Sequence, residues 1–431
     1  MLQRLMQKAE QAEVFEIESE ATKISFEANQ LKSFEVEETR GVAARVVVDG
    51  RLGFAASSDV EATDRLIANV LESARHGDAI PFRFPDPQPG PSVRVYDPEL
   101  AALPAERLIE MGQEMIATVL EADSEAHVNI DLERRVRRTS VHNSAGTEVA
   151  TEKAPLSIMM IVERVRGDDV VVIFDYFNTA VKDVGYHVLA QRVAEKLRLA
   201  RRAVTLASGR MPVIFSPSGA PVLGLPIMLG LDGKNVYRSI SPMTGRVGEQ
   251  LFDEKLTVVD DPTLDGRPGS SSHDDEGVPR QRQVLLDHGV LRGFIYDLKT
   301  AAQAGTEPTG HGERGLFSPP SPSFSNLILE GGDRPLAEIV AGIEEGLLVE
   351  SPLGLGQGNV ISGAFSNNLS LAFKIEGGEI VGRVKDVSVA GNIYEDLRYV
   401  EALSQETEWV YGGIRLPYIL LPELNVVTKG R

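Results

Sequence analysis

The chain has 431 residues, 42% hydrophobic and 25% charged, which is enough for two or three domains with their own cores. Its formal net charge of −19 argues against a nucleic-acid surface, which requires clustered Lys and Arg. The absence of cysteine excludes disulfides, thiolate metal sites and a cysteine nucleophile, and no apolar run reaches the roughly 18 residues of a membrane span.

Met1–Ala12 has Leu2, Leu5, Met6 and Ala9 at helical spacing and predicts a short amphipathic helix. It lacks the long apolar core of a signal peptide, so a cytoplasmic protein is expected. Val14–Glu18, Lys23–Glu27 and Ser33–Glu37 alternate apolar with charged residues, as strands with one wet face do. Val42–Val48 and Arg51–Ala56 flank Asp49-Gly50, a two-residue hairpin signal. A helix capped by Asp59 or Thr63 follows to about His76, and the Pro-rich Pro81–Pro91 reads as a linker. The order then recurs: a helix at Ala105–Glu121, strands at His127–Arg138, Glu148–Thr151, Ala154–Val165 and Val170–Phe177, and a helix at Gly185–Val204. Turns are expected at Asn143–Gly146 and Gly167-Asp168.

Met211–Phe215 opens a half richer in Gly, Pro and short strands. Gln283–Leu286, Val290–Tyr296, Leu369–Ile375 and Glu379–Val384 predict antiparallel strands, with hairpin turns at Asp287-His288-Gly289 and Glu376–Glu379. Helices are expected at Leu336–Glu345 and Ile393–Glu406, and an extended loop at Ser318–Pro322. The fold class is α+β: N-terminal helix–antiparallel meander–helix units, then a mostly antiparallel β domain with a few helices. The expected domains are 1–205, with a subdivision near 81–100, and 206–431.

The richest chemistry lies at His273-Asp274-Asp275-Glu276-Gly277. An imidazole and three carboxylates suit zinc or acid/base work. Adjacent residues of an extended chain point to opposite faces, so four neighbours do not converge on one ion. A turn whose Asp side chains accept from nearby backbone N–H groups is the expected arrangement. None of the seven histidines has another within five positions, and there is no HExxH, HExxxH, G-x-S-x-G or phosphate-binding P-loop. Gly354, Gly356 and Gly358 read as turns. The basic run Arg134–Arg138 is expected to pair with surplus surface carboxylates, and Lys196–Arg202 to favour a helix C-terminus. Arg314, in the loop Thr309–Arg314, is a candidate to hold a carboxylate such as a peptide end.

Four ordered blocks carry a resemblance: GEQLFDEKLTVVDDPT, DDEGVPRQRQVLLDHGVLRGFIYD, PTGHGER and ISGAFSNNLSLAFKIEGGEIVGRVKDVSVAGN. They resemble the TldD/PmbA family, whose older label is "modulator of DNA gyrase"; PmbA is also called TldE. The resemblance covers the second half closely and the first half loosely, through its element order and VVVDGRLGFAAS. It implies a dimeric, two-part α+β subunit, and a TldD–TldE heterodimeric metallopeptidase acting on unfolded or short peptides. In the TldD type it implies zinc held by an HExxxH segment after the first strand of the C-terminal domain, with a cysteine near the C-terminus. Here that segment is Ser216–Pro221, with Pro217 and Pro221 opposing a regular helix, and Tyr411–Ile414 has no cysteine.

The sequence therefore resembles the PmbA/TldE type. The leading expectation is a non-catalytic subunit of a peptidase assembly, with no catalytic residue, no metal ligand and no cofactor of its own. It would act as a homodimer or beside a HExxxH-bearing TldD-type subunit, with Asp275, Glu276 and Arg314 touching an unfolded peptide. Two alternatives remain. One is an independent peptide hydrolase using Glu276 or Asp275 with His273 or His311. The other is a regulator associated with gyrase or DNA, against which the net charge speaks.

Overall fold

The computed structural model describes residues 1–79, 81–167, 169–182 and 185–429. A short helix α1 (Leu2–Leu5) leads directly into a seven-stranded antiparallel sheet. Its strands are β1 (Gln11–Glu27), β2 (Gln30–Val48), β3 (Arg51–Ser57), β4 (His127–Asn143), β5 (Glu148–Lys153), β6 (Leu156–Arg166) and β7 (Asp169–Thr179). The spatial order is β3-β2-β1-β4-β6-β7, with β5 pairing the second half of β4. The expected N-terminal helix stops early because Gln11 already pairs with Val47. The two expected strands at 14–27 are one strand, and its turn to β2 is made by Ala28 and Asn29 at φ 46° and 72°. Asp49 and Gly50, at φ 49° and 69°, form the predicted hairpin, where the right-handed strand twist favours left-handed turn residues. The expected turn residue Asp168 lies outside the described residues.

Helix α2 (Thr63–Arg75) packs Leu66, Ile67, Val70 and Ala74 against the β1–β3 end of the sheet. It starts at Ala62 with no side-chain cap, so neither Asp59 nor Thr63 plays the expected role. After α3 (Pro98–Ala101), α4 (Ala105–Ala122) presents Leu108, Met111, Met115 and Val119, spaced by three and four, to the core. Helix α5 (Tyr186–Leu199) does the same with Leu189, Val193 and Leu197. One apolar cluster joins these side chains to Val128, Ile130 and Leu132 of β4 and to Ile214, Leu348 and Phe373 of a second sheet. The core is thus shared by both halves of the chain.

The second sheet has twelve strands, mostly antiparallel. It begins with β8 (Ala203–Val204) and β9 (Gly209–Phe215) and ends with the long strand Ile414–Thr428. Strand β8 occupies the end of the expected helix, which closes at Leu199. The other large departure is Ile393–Glu406. Only Ile393–Asp396 is helical, and Ala402–Val410 pairs with Ile414–Leu420 as a strand. A register shift between Leu403 and Thr407 breaks the period-two pattern there and hides the strand from sequence reading. The expected strand Val290–Tyr296 shrinks to Val290–Leu291, because the Gln283 side chain, not a neighbouring strand, bonds the Phe294 carbonyl.

Candidate functional site

The 273–277 segment is a turn, as its composition predicts. Asp274 Oδ1 accepts from the N–H groups of Glu276 and Val278, each at 2.9 Å, and Oδ2 from Gly312 N–H at 2.9 Å. Gly277 takes φ 82°, a conformation costly for other residues. Asp275 Oδ2 accepts from Arg314 N–H at 3.1 Å. His273 places Nε2 2.9 Å from the Gln88 carbonyl and Nδ1 3.0 Å from Ser272 Oγ. The four side chains therefore diverge. Among the described residues no three of His, Cys, Asp and Glu are grouped as a metal would need.

Glu276 points into the interior. Its Oε1 lies 2.5 Å from Arg45 Nη1, and Oε2 accepts from Leu298 N–H at 2.7 Å. Arg45 also donates to Glu13 at 2.9 and 2.6 Å, and Glu13 accepts from Arg314 Nη1 at 2.7 Å. This buried chain of charges joins β1 and β2 to the second half of the molecule. The stretch expected as a linker covers it: Phe82 and Phe84 place their rings 5.4 and 5.1 Å from the Arg45 guanidinium, and Phe15 sits 4.1 Å from that of Arg314. Burial raises the Glu13 carboxyl, but Arg314 and then Arg45 outweigh it and hold it below its ordinary range. Burial pushes Glu276 up to about 8 despite Arg45, with Asp297 and Asp274 adding repulsion.

Two of the three residues expected to touch substrate are buried. Glu276 is wholly buried and does not line the large cavity beside the turn. Arg314 borders that cavity with a buried guanidinium whose Nη1 donates to Glu13, while Nε and Nη2 have no partner among the described residues. Asp275 and His273 do line it. His311 does not: it is buried, with Nε2 3.1 Å from Asp260 and Nδ1 2.9 Å from Thr309. The acid/base pairing of Glu276 with His311 is therefore not assembled.

The cavity holds about 720 Å³. Its floor is one face of the first sheet: Glu133, Arg135, Arg137 and Thr139 of β4, which alternate along the strand, with Lys153 of β5 and Asn178 of β7. Asp275, Arg280, Glu313 and Gly412-Gly413 wall it from the second half. The basic run of β4 thus divides by face. Arg138 pairs with Glu152 at 2.7 Å on the outside, as expected, while Arg134 bonds the Ala101 and Leu103 carbonyls at 2.8 Å. Arg135 pairs with Glu133 at 2.7 Å. Arg137 forms no ion pair among the described residues. Sequence reading missed Arg137, Lys153 and Arg280; the available signal was the period-two spacing of 133, 135 and 137. Burial and the nearby Arg280 pull Lys153 down to about 8, and its Nζ donates to the Pro268 carbonyl at 3.0 Å.

At Ser216–Pro221 the chain turns from β9 into helix α6 (Pro221–Leu231). Ser216 is buried, and its Oγ accepts from Gly219 N–H at 3.1 Å. As expected, no regular helix spans Ser216–Pro221: residues 217–220 form a turn, and Pro221 opens the helix that follows, where no N–H partner is needed. The segment offers neither imidazole nor carboxylate, so it does not fit zinc.

Two sheets sharing one core, with a polar cavity between sheet face and loops, define an α+β protein. Residues 208–428 match the PmbA/TldA metallopeptidase C-terminal domain, and residues 12–75 match domain 1 of the same family. The chain belongs to the PmbA/TldD metallopeptidase family. It is similar to the crystal structure of TldE from Thermococcus kodakarensis, with a TM-score of 0.91 at 26% identity, covering 99% of this chain and 98% of that one. An uncharacterized protein of Methanocaldococcus jannaschii is 27% identical over 400 residues, 89% of each chain. A metalloprotease of Methanothermobacter thermautotrophicus is 33% identical over 220 residues, 51% of this chain and 48% of that one. The domain 1 match extends the family relation to residues 12–75 of the first half. No described helix is long and apolar enough to cross a membrane.

Proposed function

We propose that this chain is a TldE-like, non-catalytic subunit of a peptidase assembly that acts on unfolded or short peptides. The observation that carries this reading is the Ser216–Pro221 turn, where the family resemblance puts zinc ligands and this chain has a buried, internally bonded serine between backbone amides. The cavity supports a peptide-holding role: a sheet face for a floor, polar groups on its walls, and room within the usual range for ligand sites. In this reading the chain carries no zinc or other cofactor, works in the cytoplasm, and forms a two-fold pair with itself or with a HExxxH-bearing TldD-type subunit. The test measures zinc content and cleavage of an unstructured peptide by the protein alone, by such a partner alone, and by the mixture. The expected result is no zinc and no turnover alone, and a mixture more active than the partner. Turnover by the lone protein, or a mixture no better than the partner, overturns the reading.

A further inference from the structure

The strand register contains an unusual pairing. Arg137 of β4 stands directly opposite Lys153 of β5. Like charges in that position destabilise a sheet, because the side chains share one face at close range. The next pair in the same ladder, Arg138 opposite Glu152, is of opposite sign and forms an ion pair at 2.7 Å. So one face of the ladder is neutralised and the other is not. The unneutralised face is the cavity floor.

The groups around it do not balance the charge. Glu133 is paired with Arg135 at 2.7 Å. Glu313 is paired with Arg280 at 3.2 Å. Asp275 accepts from the Arg314 backbone at 3.1 Å. Arg137 and Lys153 are left with no carboxylate partner among the described residues. Arg280 reaches the same space from the opposite wall; it is 4% exposed. The Nε atoms of Arg137 and Arg280 are buried with no hydrogen-bond partner, a cost of about 1–3 kcal/mol each unless something supplies an acceptor. Burial first, and then Arg280, depress Lys153, while Glu313 and Asp275 act the other way.

We infer that Arg137, Lys153 and Arg280 form a carboxylate-binding subsite that takes the C-terminal α-carboxylate of an extended peptide. This rests on the peptide-holding reading above and names which end of the peptide is anchored. A carboxylate supplies the countercharge that Arg137 and Lys153 lack and offsets their mutual repulsion. Guanidinium groups suit it because their planar forks match its two oxygens. The Gly412-Gly413 backbone borders the same cavity, along which the residues that precede the carboxylate would run.

The test uses fluorescence anisotropy with the full-length protein, alone and with a HExxxH-bearing partner. Three N-terminally labelled versions of one unstructured peptide are compared: the free acid, the C-terminal amide, and an amide whose last residue is replaced by Asp. The free acid is expected to bind roughly 10- to 100-fold more tightly than either amide. Lys153→Met and Arg137→Gln abolish that preference, and Lys153→Arg retains it. Retention by the arginine variant separates charge from folding, and a thermal melt of each variant accompanies the titration. Equal affinity for acid and amide overturns the subsite while leaving the peptide-holding reading intact. Tight binding of the Asp-ended amide overturns the assignment to the α-carboxylate. Failure of all three to bind, with the partner present, overturns both readings.

Discussion

Glu13 and Arg314 are 301 positions apart in the chain, yet their side chains meet at 2.7 Å with neither exposed to solvent. Glu13 is the central anion of the network, shared by Arg314 and Arg45. Replacing it by alanine leaves two buried guanidinium groups beside only the Glu276 carboxyl, whose ionisation burial opposes. Glu13→Ala is expected to lower unfolding free energy by about 3–5 kcal/mol in urea denaturation, because an uncompensated charge stays behind. A loss below about 1 kcal/mol would show that the network is not held together in solution.

Glu276 carries a pH dependence of a definite sign. Its carboxyl titrates near 4.5 when unfolded and near 8 when folded. Between those values the native state holds a proton that the unfolded state lacks. The stabilisation is full below about pH 4.5 and is lost as pH rises toward 8, at up to about 1.4 kcal/mol per unit. Relative to Glu276→Gln, the wild type is therefore expected to lose a few kcal/mol between about pH 5 and pH 8. Parallel stability curves for the two proteins would contradict this.

The single tryptophan offers a reporter for the cavity. Arg267 stacks 3.9 Å from the Trp409 ring, and its Nη2 also donates to the Gly412 carbonyl at 2.8 Å and to Asn178 Oδ1 at 2.7 Å. A ligand that shifts Gly412 moves the guanidinium on the ring. Peptide binding is expected to change Trp409 emission, and Arg267→Met to remove the response while costing roughly 2 kcal/mol of stability. An unaltered response in the variant would break the link.

Gly53 and Gly50 make a steric contrast in the β2–β3 hairpin. A Cβ on Gly53 would lie 2.5 Å from the Val70 carbonyl and 2.7 Å from Ala74 N, both backbone atoms of α2. A Cβ on Gly50 would meet nothing, although φ is 69°. Gly53→Ala is expected to cost about 1–3 kcal/mol through overpacking, and Gly50→Ala about 1 kcal/mol through backbone strain. Thermal melts of the two variants check the order.

Sequence reading works here where local chemistry and tertiary context agree. The Asp49-Gly50 hairpin, α4 and the antiparallel strands of the first sheet follow from turn residues and periodicity alone. It fails where distant partners decide. Ala28 accepts a left-handed conformation that its side chain disfavours because β1 and β2 pair over nearly their whole length. Ala402–Val410 becomes a strand because Ile414–Thr428 lies beside it. The turn of the acidic cluster was legible, since Asp274 bonds its own neighbours. The burial of Glu276 was not, because its partner Arg45 is 231 positions away. Arg137 and Lys153 looked like ordinary surface residues until the strand register set them face to face.

The cavity floor comes from one sheet and its walls from the other half of the chain, and both are tied together by the shared apolar core and the Glu13 network. Such ties oppose a hinge-like closure on the contents. The entropic cost of ordering then falls on the guest, at about 1–2 kcal/mol for each residue fixed. A folded segment would owe its own unfolding as well. A short, loose chain anchored at one end owes least, so the rigidity of the walls is itself a filter on what can enter.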